Sequence, residues 1–136
     1  MSASPIIALR KAMRAHLLAD PALVTALGEG KIFDEAPRNA DPPYVLFAEA
    51  QMRDWSAQAS RGAEQLLTLA VVTTQRGVGS ALGLAQQMID RFDEASLTLE
   101  GHTLIDLRFV SMEAKRDPNG RFARVSIVFR ATTEFQ

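Results

Sequence analysis

The 136-residue sequence has no cysteine. Disulfides, thiolate nucleophiles and thiolate metal sites are therefore excluded, and stability must come from packing or from association between subunits. Its only histidines, His16 and His102, are far apart and lack metal-ligand spacing, so both read as ordinary surface or half-buried residues and no metal site is expected. No apolar stretch is long enough to span a bilayer, which predicts no membrane association. Near the start, Arg10, Lys11 and Arg14 interrupt the apolar residues and deny the unbroken run of a signal peptide, so the expected compartment is the cytosol. Charge of one sign is also missing. A formal net charge of -1 and a pI near 6.1 leave no overall positive field to hold a phosphate backbone, which excludes non-specific nucleic-acid binding. No serine sits in a nucleophile elbow, and no glycine-rich segment ends in Lys-Ser or Lys-Thr. Nothing in the chain demands an enzyme, a cofactor or a catalytic residue.

What is present is ordinary globular composition, with 47% hydrophobic and 23% charged residues. The length suits one domain over residues 1–136, burying roughly 70% of the surface of the extended chain. From Ser4 to Asp20, Ile6, Leu9, Met13 and Leu17 recur at helical spacing, with Ser4 as N-cap and Pro5 at the first helical position. Asp20-Pro21 closes this helix and opens a short second one through Leu27. Ile32-Phe33 reads as a short strand, and Ala36 to Pro43, with three prolines, as a surface loop.

Tyr44 to Met52 and Gln65 to Gln75 read as neighbouring strands. The polar segment from Arg53 to Ala63 between them is too long for a tight turn and predicts a projecting loop. Gly79-Ser80 opens a helix whose apolar face is Val78, Leu82, Ala85, Ile89 and Phe92. Ile105, Leu107 and Phe109 alternate with Asp106 and Arg108, and Val125, Ile127 and Phe129 alternate with Arg124, Ser126 and Arg130. Asp117-Pro118-Asn119-Gly120 supplies the turn chemistry that joins these strands into a hairpin. The order α-α-β-β-β-α-β-β predicts an α+β fold: a mostly antiparallel sheet with the N-terminal and central helices on one face.

Gly77-Val78-Gly79-Ser80-Ala81-Leu82-Gly83 follows a strand and opens a helix, as a dinucleotide-binding turn does. Such a site needs a βαβ unit in a parallel sheet, and the strands before this turn read as antiparallel. The glycines are better explained by a sharp strand-to-helix turn and close packing of the helix on the sheet. Asp90, Asp93 and Glu94 keep the polar side of that helix wet. The arginines Arg53, Arg61, Arg76, Arg121, Arg124 and Arg130 are either solvated strand and loop residues or interface anchors. Trp55, a lone large aromatic in a polar loop, finds a partner or folds back on its own sheet. The candidate interface set is Arg53, Asp54, Trp55, Arg61 and Arg76, with Asp117, Asn119 and Arg121 at the hairpin turn.

The succession of segments resembles the tail-completion, or tail-terminator, proteins of long-tailed phages and gene transfer agents. It is carried first by Leu18-Ala19-Asp20-Pro21-Ala22-Leu23, Gly30-Lys31-Ile32-Phe33-Asp34 and Pro42-Pro43-Tyr44-Val45. It continues through the long hairpin loop, Leu67-Thr68-Leu69-Ala70-Val71, Leu84-Ala85-Gln86-Gln87-Met88-Ile89-Asp90, Leu97-Thr98-Leu99-Glu100-Gly101 and Arg116-Asp117-Pro118-Asn119-Gly120-Arg121. The resemblance implies a ring-forming, homo-hexameric subunit that caps the tail tube, stops its polymerisation and meets the head-side connector. The implied partners are the major tail tube protein and the connector or stopper protein, with DNA only as cargo passing through the lumen. It implies a protein made in the cytoplasm and then built into the particle, with no catalytic residues. A neck subunit of the head-tail connector is the neighbouring reading, for which more helix would be expected. A small α+β ligand-binding domain would rest on the glycine turn alone.

Overall fold

In a computed structural model, which describes residues 4–28, 30–116 and 121–136, helix α1 runs Pro5–Leu18 and α2 runs Pro21–Ala26. Both begin as the sequence predicts. The Ser4 hydroxyl accepts from the Ile7 amide at 3.3 Å, and Asp20 Oδ1 accepts from the Ala22 amide at 3.1 Å, so each cap satisfies donors that the first turn leaves free. Leu9, Met13 and Leu17 are fully buried, Ala8 joins them, and Ile6 sits at the margin of the stripe.

Strand β1 is Ile32–Phe33, β2 Tyr44–Asp54 and β3 Gly62–Thr74. A single 3-10 turn, Gln75–Gly77, leads into α3, Val78–Phe92. Strand β4 is Thr98–Leu99, β5 His102–Arg116 and β6 Phe122–Phe135. They form one six-stranded sheet in the order β1-β2-β3-β6-β5-β4, antiparallel throughout except for the short parallel pairing of β1 with β2. The fold is therefore the predicted α+β arrangement, with β4 added where the sequence read as a turn. The turn before β5 needs Gly101, whose φ of +76° other residues adopt only with strain.

Helices α1 and α3 cover one face of this sheet. The core joins Leu9, Met13 and Leu17 of α1 to Met88 and Phe92 of α3 and to Val45, Leu67, Leu69, Val71, Leu107, Val125, Ile127 and Phe129 of the strands. Phe92 and Phe129 meet edge to face, with ring centroids 5.4 Å apart.

Three local expectations change. The buried face of α3 is Ala81, Leu84, Ala85, Met88, Ile89 and Phe92, while Val78 and Leu82 lie at its edge. Gly79 and Gly83 have nothing within 4 Å of where a side chain would start, so they are not packing glycines; of the three glycines in this turn Gly77 alone is crowded, against Thr73. In β5 the alternation breaks at Ile105, which a bulge between Leu104 and Asp106 leaves exposed; Leu107 is buried, and Phe109 keeps the same face, opposite Phe129, but stays 38% exposed on this outer strand.

Candidate assembly surface

The segment from Arg53 to Ala63 is not the long loop expected. Strand pairing continues to Asp54 opposite Ala63, and the Trp55 amide donates to the Gly62 carbonyl at 3.0 Å. Ala57 and Ser60 then pair across the tip. Asp54, Ser56 and Gly62 lock the base: the Ser56 hydroxyl donates to Asp54 Oδ1 at 2.6 Å and accepts from the Gly62 amide at 3.1 Å. The propensity signal was weak because these residues are small and polar, yet local side-chain hydrogen bonds hold them in a hairpin end.

Trp55 folds back in part onto its own hairpin. Its ring lies against Gly62, close enough that a Cβ there would stand 3.1 Å from Trp55 Cε3, and 41% of the residue remains exposed. Nearby, the Arg61 guanidinium sits 5.2 Å from the centroid of the Phe135 ring. Phe135 also takes the edge of His102 at 4.7 Å, so His102 is a buried residue of β5 and not the surface or half-buried turn residue expected.

Face assignments follow from the register, because residues opposite one another in an antiparallel pair share a face. On the helix-free face Arg53 lies opposite Glu64, and Glu64 opposite Thr132, with Arg130 next along β6. Glu64 keeps only 9% of its side chain exposed and accepts from both arginines, from Arg130 Nε at 2.7 Å. Hydrogen bonding from Arg53, then from Arg130, holds its carboxyl below the usual range, against the opposing effect of desolvation. A carboxylate depressed in the folded state stabilises above its unfolded pKa of about 4.3 and loses that contribution as pH falls through the folded value. Glu64→Gln should therefore narrow its stability deficit relative to the unaltered protein in thermal melts as pH drops below about 4; a deficit constant from pH 7 to pH 2.5 would contradict the linkage.

Along the same face Arg108 binds Asp106 at 2.9 Å and Glu94 at 2.7 Å, and the Asp106 hydrogen bond is the main cause of its raised pKa. Glu113 and Lys115 pair at 3.3 Å on β5. Asp106 with Arg108 and Glu113 with Lys115 are neighbours on one face of β5, whereas the pairing of Glu64 with Arg53 and Arg130 depends on register across the sheet.

The expected interface residues divide between two ends of the molecule. Arg53, Asp54, Trp55 and Arg61 cluster at the β2-β3 end. Arg76 lies just past the other end of β3, where Thr74 pairs with Phe122 beside Arg121. β3 has 13 residues, so about 40 Å separates the two ends. Asp117 and Asn119 lie outside the described residues. Among the described residues no group of histidine, aspartate and glutamate is placed to hold a metal ion, and no helix is long and apolar enough to cross a membrane.

The surface is open and ionic. The hollow beside β2, lined by Gln51, Met52, Arg53, Glu64 and Leu66, encloses about 220 Å³ and suits contact with another surface better than enclosure of a small molecule.

Among curated proteins none matches this sequence. Among solved structures, a chain from the virion of a native gene transfer agent (GTA) particle is similar over 98% of this chain and 99% of its own, with a TM-score of 0.88 and 27% identity. The family model for tail completion protein gp17 matches residues 11–134. A structural, non-enzymatic role agrees with both matches, and the chain belongs to the tail completion protein gp17 family.

Proposed function

We propose that this protein is the tail terminator of a phage or gene-transfer-agent tail: a homo-hexameric ring that caps the tail tube, halts its polymerisation and presents a surface to the head-side connector. The observation that carries the reading is the likeness over nearly the whole chain to a virion component, together with the family match. The helix-free sheet face suits the wall of a DNA passage. Its Arg53, Arg108, Arg124, Arg130 and Lys115 are offset by Glu64, Asp106, Glu113 and Glu134, so the face carries mixed charge and would let a phosphate backbone slide past.

Light scattering of the purified protein across a concentration series, with and without the tail tube protein, tests this. A six-subunit mass, alone or only with tubes, is the expected result; a monomer indifferent to tubes would overturn it. Trp55 is the first interface candidate, with Arg53, Asp54 and Arg61 beside it and Arg76 and Arg121 at the far end. Trp55→Ala is expected to leave the domain folded and to weaken ring assembly by about 1–4 kcal/mol, read as a shift of the assembly midpoint. Unchanged assembly would remove Trp55 from the contact.

A further inference from the structure

The sheet ends in two edges that are each half covered. On β2, strand β1 pairs only with Val45 and Leu46, and Arg10 donates to the Ala48 carbonyl at 2.9 Å. From Glu49 to Asp54 no other strand lies beyond β2 among the described residues. On β5, β4 pairs with His102 and Thr103, the Glu94 amide donates to the Leu107 carbonyl at 2.8 Å, and Asp93 accepts from the Phe109 amide at 2.8 Å. From Val110 to Arg116 no strand lies beyond β5 among the described residues. This open stretch carries Val110 at 50% and Met112 at 38% exposure, and the open part of β2 carries Met52 at 48%. A long uncovered edge with apolar side chains is what folded proteins otherwise shield.

We infer that these two open edges join one subunit to the next, with Val110–Lys115 of one copy running antiparallel to Glu49–Asp54 of its neighbour. The inference rests on the ring reading above and specifies its contact. Three independent features agree. First, the four long strands alternate in direction, so β2 and β5 run oppositely and a head-to-tail repeat joins them antiparallel. Second, aligning the open residues puts Met112 opposite Met52 and Glu113 opposite Gln51. Met112 lies opposite Ile127 and Met52 opposite Gln65 in their own sheets, both on the helix side, while Glu113 and Gln51 lie opposite Ser126 and Leu66 on the other side. A register shifted by one residue would fail this match. Third, the same alignment sets Lys115 directly opposite Glu49 and places Glu113 between Arg53 and Glu49 on its diagonals, so the directly opposed charged pair is of opposite sign.

The alignment also fixes a stagger. Within one subunit Gln51 shares a row with Leu66, Arg130 and Arg108, whereas Glu113 shares a row with Ser126, four residues along β6 from Arg130. A step of four residues for every four strands tilts the strands by about 35° whatever the subunit number, at the lower end of the range in closed sheets.

The test uses the absence of native cysteine. Opposed residues of an antiparallel pair have Cα atoms about 4.5–5.5 Å apart, within disulfide reach. Particles assembled from the Met52→Cys/Met112→Cys protein and mildly oxidised should give a ladder of covalent oligomers ending in one closed species. Each single variant, and the same-row pair Gln51→Cys/Arg108→Cys, should stay monomeric on a non-reducing gel. A ring mass by light scattering with no ladder would overturn the edge contact and leave the ring reading standing; a monomeric protein with no ladder, alone or with tubes, overturns both. A ladder that stops at dimers points to two-fold pairing and also rejects the contact. Should the cysteines block assembly, charge exchange decides: Lys115→Glu should reduce the ring fraction several-fold and Glu49→Lys in the same chain restore it, while absence of rescue counts against the pairing.

Discussion

Replacing Phe129 with alanine is expected to cost about 3–5 kcal/mol of folding stability, the upper range for truncating a buried aromatic. The residue is fully buried in β6, between the edge-on rings of Phe92 at 5.4 Å and Phe109 at 6.4 Å, and it lies opposite Leu67 and Phe109 in the sheet. Helix α3 and three strands meet there, so no single neighbour can move in to fill the space. Chemical denaturation of the purified variant checks this: a midpoint lowered with unchanged slope is expected, and a loss under 1.5 kcal/mol would show that the site collapses.

The second large effect is expected at Gly62, through crowding instead of a cavity. A methyl group there would stand 2.8 Å from the Thr133 carbonyl oxygen and 3.0 Å from that of Trp55. Both are backbone atoms, so relief requires the base of the β2-β3 hairpin to separate from β6. Gly62→Ala should cost about 1–3 kcal/mol, in the range found for overpacked sites, and should loosen the Trp55 ring. Thermal unfolding together with tryptophan fluorescence distinguishes the effects: a red-shifted emission with a lowered melting temperature is expected, and an unchanged spectrum would contradict the packing.

The prediction at Phe129 could have been made from the sequence, whereas the one at Gly62 could not, and the contrast shows what was legible. Val125, Ile127 and Phe129 alternate without interruption, and β6 is indeed buried on that side. Ser4, Pro5 and Asp20 marked helix starts because capping is a local hydrogen-bonding demand. The same reasoning failed in β5, where a bulge leaves Ile105 exposed and Phe109, though on the core face opposite Phe129, is only partly covered. It failed at Gly62 because the nearest crowding atom belongs to Thr133, 71 residues away in the chain. The ion pairs of Glu64 with Arg53 and Arg130 were out of reach for the same reason. For the interface, Trp55 was recognisable by composition, but the open halves of β2 and β5 emerge only once β1, β4 and the Asp93-Glu94 corner are seen to cover the rest.

The position of β6 has a consequence for biosynthesis. It is the latest strand in the sequence and lies between β3 and β5, so both of those strands are made before the one that separates them. Gly62 pairs with Glu134 and His102 with Phe135, which makes completion of the sheet a long-range event with a correspondingly slow closure. While the chain is being translated, β3 and β5 have their inner edges open to one another and to other nascent chains. Ribosomes translating the same message close together would thus bring together subunits that cannot yet be monomers. Spacing between ribosomes, and any chaperone that shields β5 until Phe122–Phe135 emerges, should govern the yield of soluble subunit more strongly than the stability of the finished fold.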